Sequence, residues 1–181
     1  MIVAIVGSRG VGKDTVGKIL VEKHGFTRIA FADKVKEIAM DLYGLALAQV
    51  HGTIEQKETV DPRWGLTPRF ILQRLGTDVA RNVHPETWIR YVMRQIASRP
   101  DHNYVITDCR FPNEADAVRK VGGVVWRVRR SSAPRDDGHA SEVDQAAIVP
   151  DWTLENEGTI DELAYYVDWT LNNITNTAPR T

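Results

Sequence analysis

The chain has 181 residues, 43% hydrophobic and 26% charged, and carries a formal net charge of −1. That composition suits one domain able to bury a full core, and nothing in the near-neutral balance points to nucleic acid or an anionic membrane as a partner. The single cysteine, Cys109, excludes an internal disulfide and fits a reducing compartment. With no leader-like segment and no apolar run of membrane-spanning length, a cytoplasmic enzyme is expected.

Ile2–Val6 reads as a buried strand, and Gly7-Ser-Arg-Gly-Val-Gly-Lys-Asp-Thr15 follows it directly. A helix is expected to begin near Lys13. The pattern fits the P-loop G-x-x-x-x-G-K, with Asp14 after the lysine and the hydroxyl one place later at Thr15. Glycines at 7, 10 and 12 let the backbone turn its N–H groups toward an anion, and the helix N-terminus adds positive potential. Arg9, Gly10, Gly12, Lys13, Asp14 and Thr15 are therefore the expected phosphate-binding stretch, with Lys13 on the β/γ-phosphates and Thr15 on Mg²⁺.

Val16, Ile19, Leu20 and Lys23 continue the helix to Gly25, and Arg28–Ala32 reads as a second strand. Asp33–Tyr43 is a helix with Val35, Ile38, Ala39 and Leu42 on one face. Leu45–Leu66 is polar and weakly periodic, and no element is assigned there. Thr67-Pro68 starts a helix, with threonine as N-cap and proline in the first turn. At about 100° per residue, Leu72, Leu75, Val79 and Val83 form its core stripe, and Arg69, Gln73, Gly76 and Ala80 an adjacent face. That second face suits a ligand carrying a phosphate and a base; it equally suits a solvated helix side.

His84-Pro85-Glu86 opens a helix with Trp88, Val92 and Ile96 as its apolar line. Asn103–Thr107 is a third strand that delivers Asp108, a Walker-B-like arrangement for Mg²⁺. Glu114–Lys120 is a short helix. Val124–Arg130 is a fourth strand ending in Arg127, Arg129 and Arg130, before a Pro/Gly-bearing loop at about 131–147 that reads as a lid. His139 and Glu142 within that loop are thin support for zinc. Asp151–Glu155 is a fifth strand, and Thr159-Ile-Asp-Glu162 is a capping box for a last helix packed through Leu163, Tyr166, Val167, Thr170 and Leu171. Strands alternating with helices predict an α/β fold with a parallel sheet of about five strands and helices on both faces.

The assembled motifs resemble the deoxynucleoside monophosphate kinases of bacteriophages, within the P-loop nucleoside monophosphate kinase group. The matching pieces are the P-loop, Phe31-Ala-Asp33 with Lys34 and Lys36, and Thr67-Pro-Arg69 with Leu72-Gln-Arg-Leu-Gly-Thr-Asp78. Thr107-Asp-Cys-Arg-Phe-Pro-Asn-Glu114, Gly123-Val-Val-Trp-Arg-Val, His139-x-Ser-Glu142 and Asn156-x-Gly-Thr159 complete the set. The resemblance implies a P-loop kinase domain spanning the whole chain with strand order 2-3-1-4-5, an acceptor-binding excursion at about 44–84 and a lid. It implies ATP-dependent, Mg²⁺-assisted phosphorylation of deoxynucleoside 5′-monophosphates, in a host cytoplasm if the chain is phage-encoded. Donor contacts would come from Arg9 to Thr15 and Arg135, with the adenine near Glu157, Thr159 and Glu162. The acceptor would meet Asp33, Lys36, Arg69, Gln73, Arg110 and Trp126. Lys13, Arg110, Arg130 and Arg9 would carry the catalytic charge, and Thr15 and Asp108 the metal.

Two other readings stay open on these residues. One is a different small-molecule P-loop kinase, of the dephospho-coenzyme A or shikimate type. The other is a nucleotide-hydrolysing switch or motor, against which stand the neutral charge and the absence of an Asn/Thr-Lys-x-Asp base-recognition motif. Neither nucleic acid nor a membrane is an expected partner, and a homodimer stays open.

Overall fold

A computed structural model describes residues 1–133 and 145–177. The chain divides into two compact units, Met1–Ala30 with Ile96–Thr181, and Phe31–Gln95. The second unit is broader than the excursion expected at 44–84, taking in the helix that starts at Asp33 on one side and residues up to Gln95 on the other.

The first unit is built on a five-stranded sheet of β1 (Ile2–Val6), β2 (Thr27–Ile29), β3 (Tyr104–Ile106), β4 (Val124–Arg129) and β5 (Trp152–Glu155). The order is β2-β3-β1-β4-β5 with every pairing parallel, as the resemblance implied. β1 is buried along its whole length, which is why it reads as an unbroken apolar run rather than an alternating one. α1 (Lys13–His24) packs on the last helix, which covers Ile160–Thr177. Val3, Ile5, Val16, Leu20, Trp126, Val128, Leu154, Leu163 and Val167 form their shared core. The helix Pro112–Lys120 packs on β1 and β4. In the last helix Ala164 is buried and Tyr166 is exposed, so Ala164 takes the place of Tyr166 in the expected stripe.

The second unit is helical. α2 (Asp33–Tyr43), α3 (Leu47–His51) and α4 (Ile54–Glu58) are followed by α5 (Pro68–Gln73), a π-helical turn (Arg74–Val79), α6 (Ala80–Val83) and α7 (Thr87–Ala97). The last two helices of the first unit are then α8 (Pro112–Lys120) and α9 (Ile160–Thr177). The core of the second unit is Ala39, Leu45, Val50 and Ile71, with Met40, Tyr43, Leu72 and Leu75 against it. The stretch left unassigned in the sequence thus contains two short helices. Thr53 caps α4 reciprocally with Gln56, and buried Asp61 is gripped by Arg63 and Gln49.

The stripe expected after Thr67 is corrected. Thr67 caps α5 as anticipated, its Oγ1 accepting from the Phe70 N–H at 3.1 Å. The π turn then widens the helix, so the even rotation assumed for Leu72, Leu75, Val79 and Val83 fails beyond Leu75. Ile71 is buried instead, whereas Val79 and Val83 are 57% and 81% exposed. No described helix is long and apolar enough to cross a membrane.

Candidate functional site

Everything at the first unit's site follows from how β1 ends. Gly7 is buried at φ +146°, and a Cβ there would stand 2.4 Å from the Val128 carbonyl of β4, so only glycine lets the loop leave the sheet at this point. Gly12 turns into α1 at φ +104°. Lys13 then folds back across the loop, its Nζ donating to the carbonyls of Gly7 at 2.6 Å and Ser8 at 2.8 Å. Thr15 is half-buried one turn into the helix, and Arg9, Gly10 and Asp14 are exposed.

Two buried amides hold this loop from distant parts of the chain. Asn156, after β5, donates from Nδ2 to the Val11 carbonyl at 2.8 Å. Gln145, 6% exposed, donates from Nε2 to the carbonyls of Gly7 and Cys109 at 3.1 and 3.3 Å. The second of these bonds places the turn after β3 beside the P-loop. That turn carries half-buried Asp108 and exposed Arg110. Glu114, 1% exposed at the third position of α8, reaches back to accept the N–H groups of Arg110 at 2.8 Å and Phe111 at 3.1 Å. Burial, reinforced by the charges of Glu114 and Asp108, pushes the Cys109 thiol well up, so it stands as a neutral packing group.

A cleft of about 460 Å³ opens at the C-terminal ends of β1, β4 and β5, lined by Gly7, Ser8, Val11, Arg130, Glu155 and Glu157 among others. This is the end of an α/β sheet at which ligands bind. The strand arginines divide in role. Arg127 is turned into structure, donating to the backbone carbonyls of Gln145 and Ile148, and burial together with nearby Arg129 lowers its pKa. Arg130 is exposed, its Nε donating to Ser132 Oγ at 3.1 Å. Glu157 accepts from the Ser131 N–H and Oγ, and those bonds hold its carboxyl below the usual carboxylate range. Thr159 and Glu162 form the expected reciprocal capping box, at 2.7 and 3.2 Å. Arg135, His139 and Glu142 lie outside the described residues.

Trp126 is a correction. It is fully buried in the first unit's core, where strand alternation places it with Val128 under α9, so it packs the sheet and presents no face to an acceptor.

The second unit holds the other expected acceptor residues. Asp33 and Lys36 sit half-buried at the start of α2, which packs on α5. Arg69 is paired through Nε with Glu58 of α4, and Gln73 is exposed at the end of α5. Trp88 donates its indole N–H to the Gly76 carbonyl at 2.7 Å, capturing an acceptor within the π turn. Glu58, Gln145 and the positioning role of Glu114 were not anticipated. Glu114 had a signal, a glutamate three places after Phe111 at a helix start; Gln145 had none.

A five-stranded parallel sheet with a lysine-bearing Gly-rich loop at its first strand end defines a P-loop α/β domain. Solved structures agree on the fold: a shikimate kinase from Aquifex aeolicus superposes with a TM-score of 0.53 at 15% identity, covering 98% of this chain and 100% of its own. A dephospho-CoA kinase from Campylobacter jejuni gives 0.52 at 15% identity, with 97% of each chain covered. Sequence narrows the group. The family model described as deoxynucleotide monophosphate kinase matches residues 46–167. A protein of Acanthamoeba polyphaga mimivirus bearing that name is 36% identical over 178 residues, 89% of this chain and 91% of its own. A deoxynucleoside-5′-monophosphate kinase of Escherichia phage T5 is 39% identical over 57 residues, 31% of this chain and 23% of the phage protein. The chain belongs to the deoxynucleotide monophosphate kinase family.

Proposed function

We propose that the chain transfers the γ-phosphoryl group of ATP to the phosphate of a deoxynucleoside 5′-monophosphate, giving the diphosphate and ADP. The observation that carries this reading is the Lys13 ammonium drawn onto the carbonyls of its own Gly-rich loop, in a chain of this family. The family match begins at residue 46, so the loop supports phosphate binding independently of it.

The attacking oxygen belongs to a phosphate that is already anionic near neutral pH, so no general base is required and catalysis is positioning plus charge neutralisation. In this reading the loop N–H groups and Lys13 take the donor's β- and γ-phosphates. Arg110 and Arg130 face the charge on the transferring group, with Arg9 and Arg135 as supporting cations. The adenine lies toward Glu157, Thr159 and Glu162, where outer atoms remain accessible beyond the capping box. Asp33, Lys36, Arg69 and Gln73 of the second unit take the acceptor, and Arg69 exchanges Glu58 for the acceptor's phosphate.

The donor set fits Mg²⁺. Thr15 and Asp108 are hard oxygen donors of the kind that hold such a cation through one or two protein groups, with phosphate and water completing its shell. When bound there it would neutralise charge on the β/γ-phosphate oxygens.

Initial rates with dGMP, dTMP, dAMP, hydroxymethylated dCMP, GMP and dephospho-coenzyme A test the assignment. Diphosphate formation from at least one deoxynucleotide is expected, and turnover of dephospho-coenzyme A alone would replace it with the rival kinase reading. Lys13→Ala should abolish transfer in a folded protein; near-normal turnover would remove the loop from the mechanism.

A further inference from the structure

The Gly7 carbonyl receives two donors, Lys13 Nζ at 2.6 Å and Gln145 Nε2 at 3.1 Å. The other hydrogen of the Gln145 amide goes to the Cys109 carbonyl, between Asp108 and Arg110. Gln145 is itself fixed from behind, because Arg127 of β4 donates to its backbone carbonyl at 3.1 Å. One carboxamide thus spans the loop that carries Lys13 and the turn that carries Asp108 and Arg110, across 138 and 36 residues of sequence.

We propose that Gln145 is a positioning residue for phosphoryl transfer, setting the spacing of these two backbones and freeing Lys13 to engage phosphate. The inference rests on the assignment of Lys13 to the donor phosphates. Gly7 is buried, so when Lys13 turns from its carbonyl to a phosphate oxygen, a second protein donor keeps that carbonyl satisfied. Gln145 is that donor. The same amide keeps Cys109, and with it Asp108 and Arg110, at a fixed distance from the loop.

The chemistry of the position selects an amide. Both partners are carbonyl oxygens, so the side chain must supply two hydrogens. An ionised glutamate supplies none and would face two oxygens with a negative charge. A protonated glutamic acid supplies one. Methionine matches the length and supplies none.

The experiment compares Gln145→Met, Gln145→Glu and Lys13→Ala with the wild type in the full chain, measuring kcat and KM for ATP across pH, with circular dichroism as a check on folding. Gln145→Met is expected to lower kcat/KM for ATP by about 10–100-fold, the scale of a small misplacement of reacting groups. Gln145→Glu should be slow at neutral pH and recover several-fold as pH falls and its carboxyl protonates, opposite in direction to the wild type. A merely structural role would not give that inverted pH profile. Wild-type kinetics in Gln145→Met, or a wild-type pH profile in Gln145→Glu, overturns the inference. If Gln145→Met does not fold, the pH profile of Gln145→Glu decides alone. A dead Lys13→Ala beside wild-type-like Gln145 variants refutes only the role of Gln145; an active Lys13→Ala refutes the loop assignment and this inference with it.

Discussion

Removing the Glu114 carboxylate should loosen the turn that presents Arg110, and the size of the effect can be worked from the hydrogen bonds. The side chain is 1% exposed, and its Oε2 accepts both the Arg110 and the Phe111 N–H. A fully buried N–H left without a partner costs about 1–3 kcal/mol, a ceiling for these two because Arg110 is exposed and Phe111 half-buried. Two of them set an upper range of about 2–6 kcal/mol for Glu114→Ala, which relief from burying a carboxylate reduces to about 2–4 kcal/mol. Glu114→Gln can keep one oxygen in place of Oε2 and so retain both bonds, losing only the charge assistance, about 1 kcal/mol. Urea unfolding followed by tryptophan fluorescence reads the stability, from the midpoint shift at constant m. Initial rates at saturating ATP read the turn. The expected order in both is wild type, then Gln, then Ala. A Glu114→Ala protein within about 0.5 kcal/mol of wild type, below the cost of a single orphaned N–H, would refute the reasoning.

Asn156→Asp replaces the donor on the Val11 carbonyl with an acceptor; KM for ATP should rise on the order of tenfold, equivalent to about 1.4 kcal/mol, and an unchanged KM would count against the clamp. Asp61 gives a pH dependence. Hydrogen bonds from Arg63 and then Gln49 hold its carboxyl far below the ordinary carboxylate value, so its contribution is fully present above about pH 4 and is lost as pH falls toward the folded value. Asp61→Asn should therefore be less stable than wild type at pH 7, with the gap closing in acid; a gap constant with pH would exclude the ion pair as its origin.

The sheet was legible because its signals are local. β1 is an apolar run, β4 is rich in valine and tryptophan, α1 begins at a glycine and ends at one, and the Thr67 and Thr159 caps follow from three-residue spacings. The second unit was less legible for a physical reason. Its residues 45–66 are held by Asp61, Arg63, Gln49 and the Thr53–Gln56 pair rather than by a periodic apolar face, and polar pairing leaves no period to read. The helix after Thr67 was legible at its start and not along its length. A wheel assumes constant rotation, and the π turn at Arg74–Val79 breaks that assumption where Trp88 takes the Gly76 carbonyl.

At the candidate site the glycines and Lys13 were visible, and the side chains that fix their geometry were not. A P-loop binds through backbone, so its shape has to be imposed by groups that satisfy backbone atoms and can themselves lie anywhere in the chain. Three buried polar residues of the first unit meet that need: Asn156 on Val11, Gln145 on Gly7 and Cys109, and Glu114 on Arg110 and Phe111. At Gly17 a Cβ would come within 2.5 Å of Thr107 Cγ2, so the helix carrying Thr15 and the strand end carrying Asp108 are as close as a missing side chain permits. Val11 and Cys109 anchor the loop and the turn by packing, and the buried polar groups fix the backbone around those anchors. Substitutions at these positions should therefore lower transfer without touching either nucleotide, and the fall should follow the backbone atom each side chain serves.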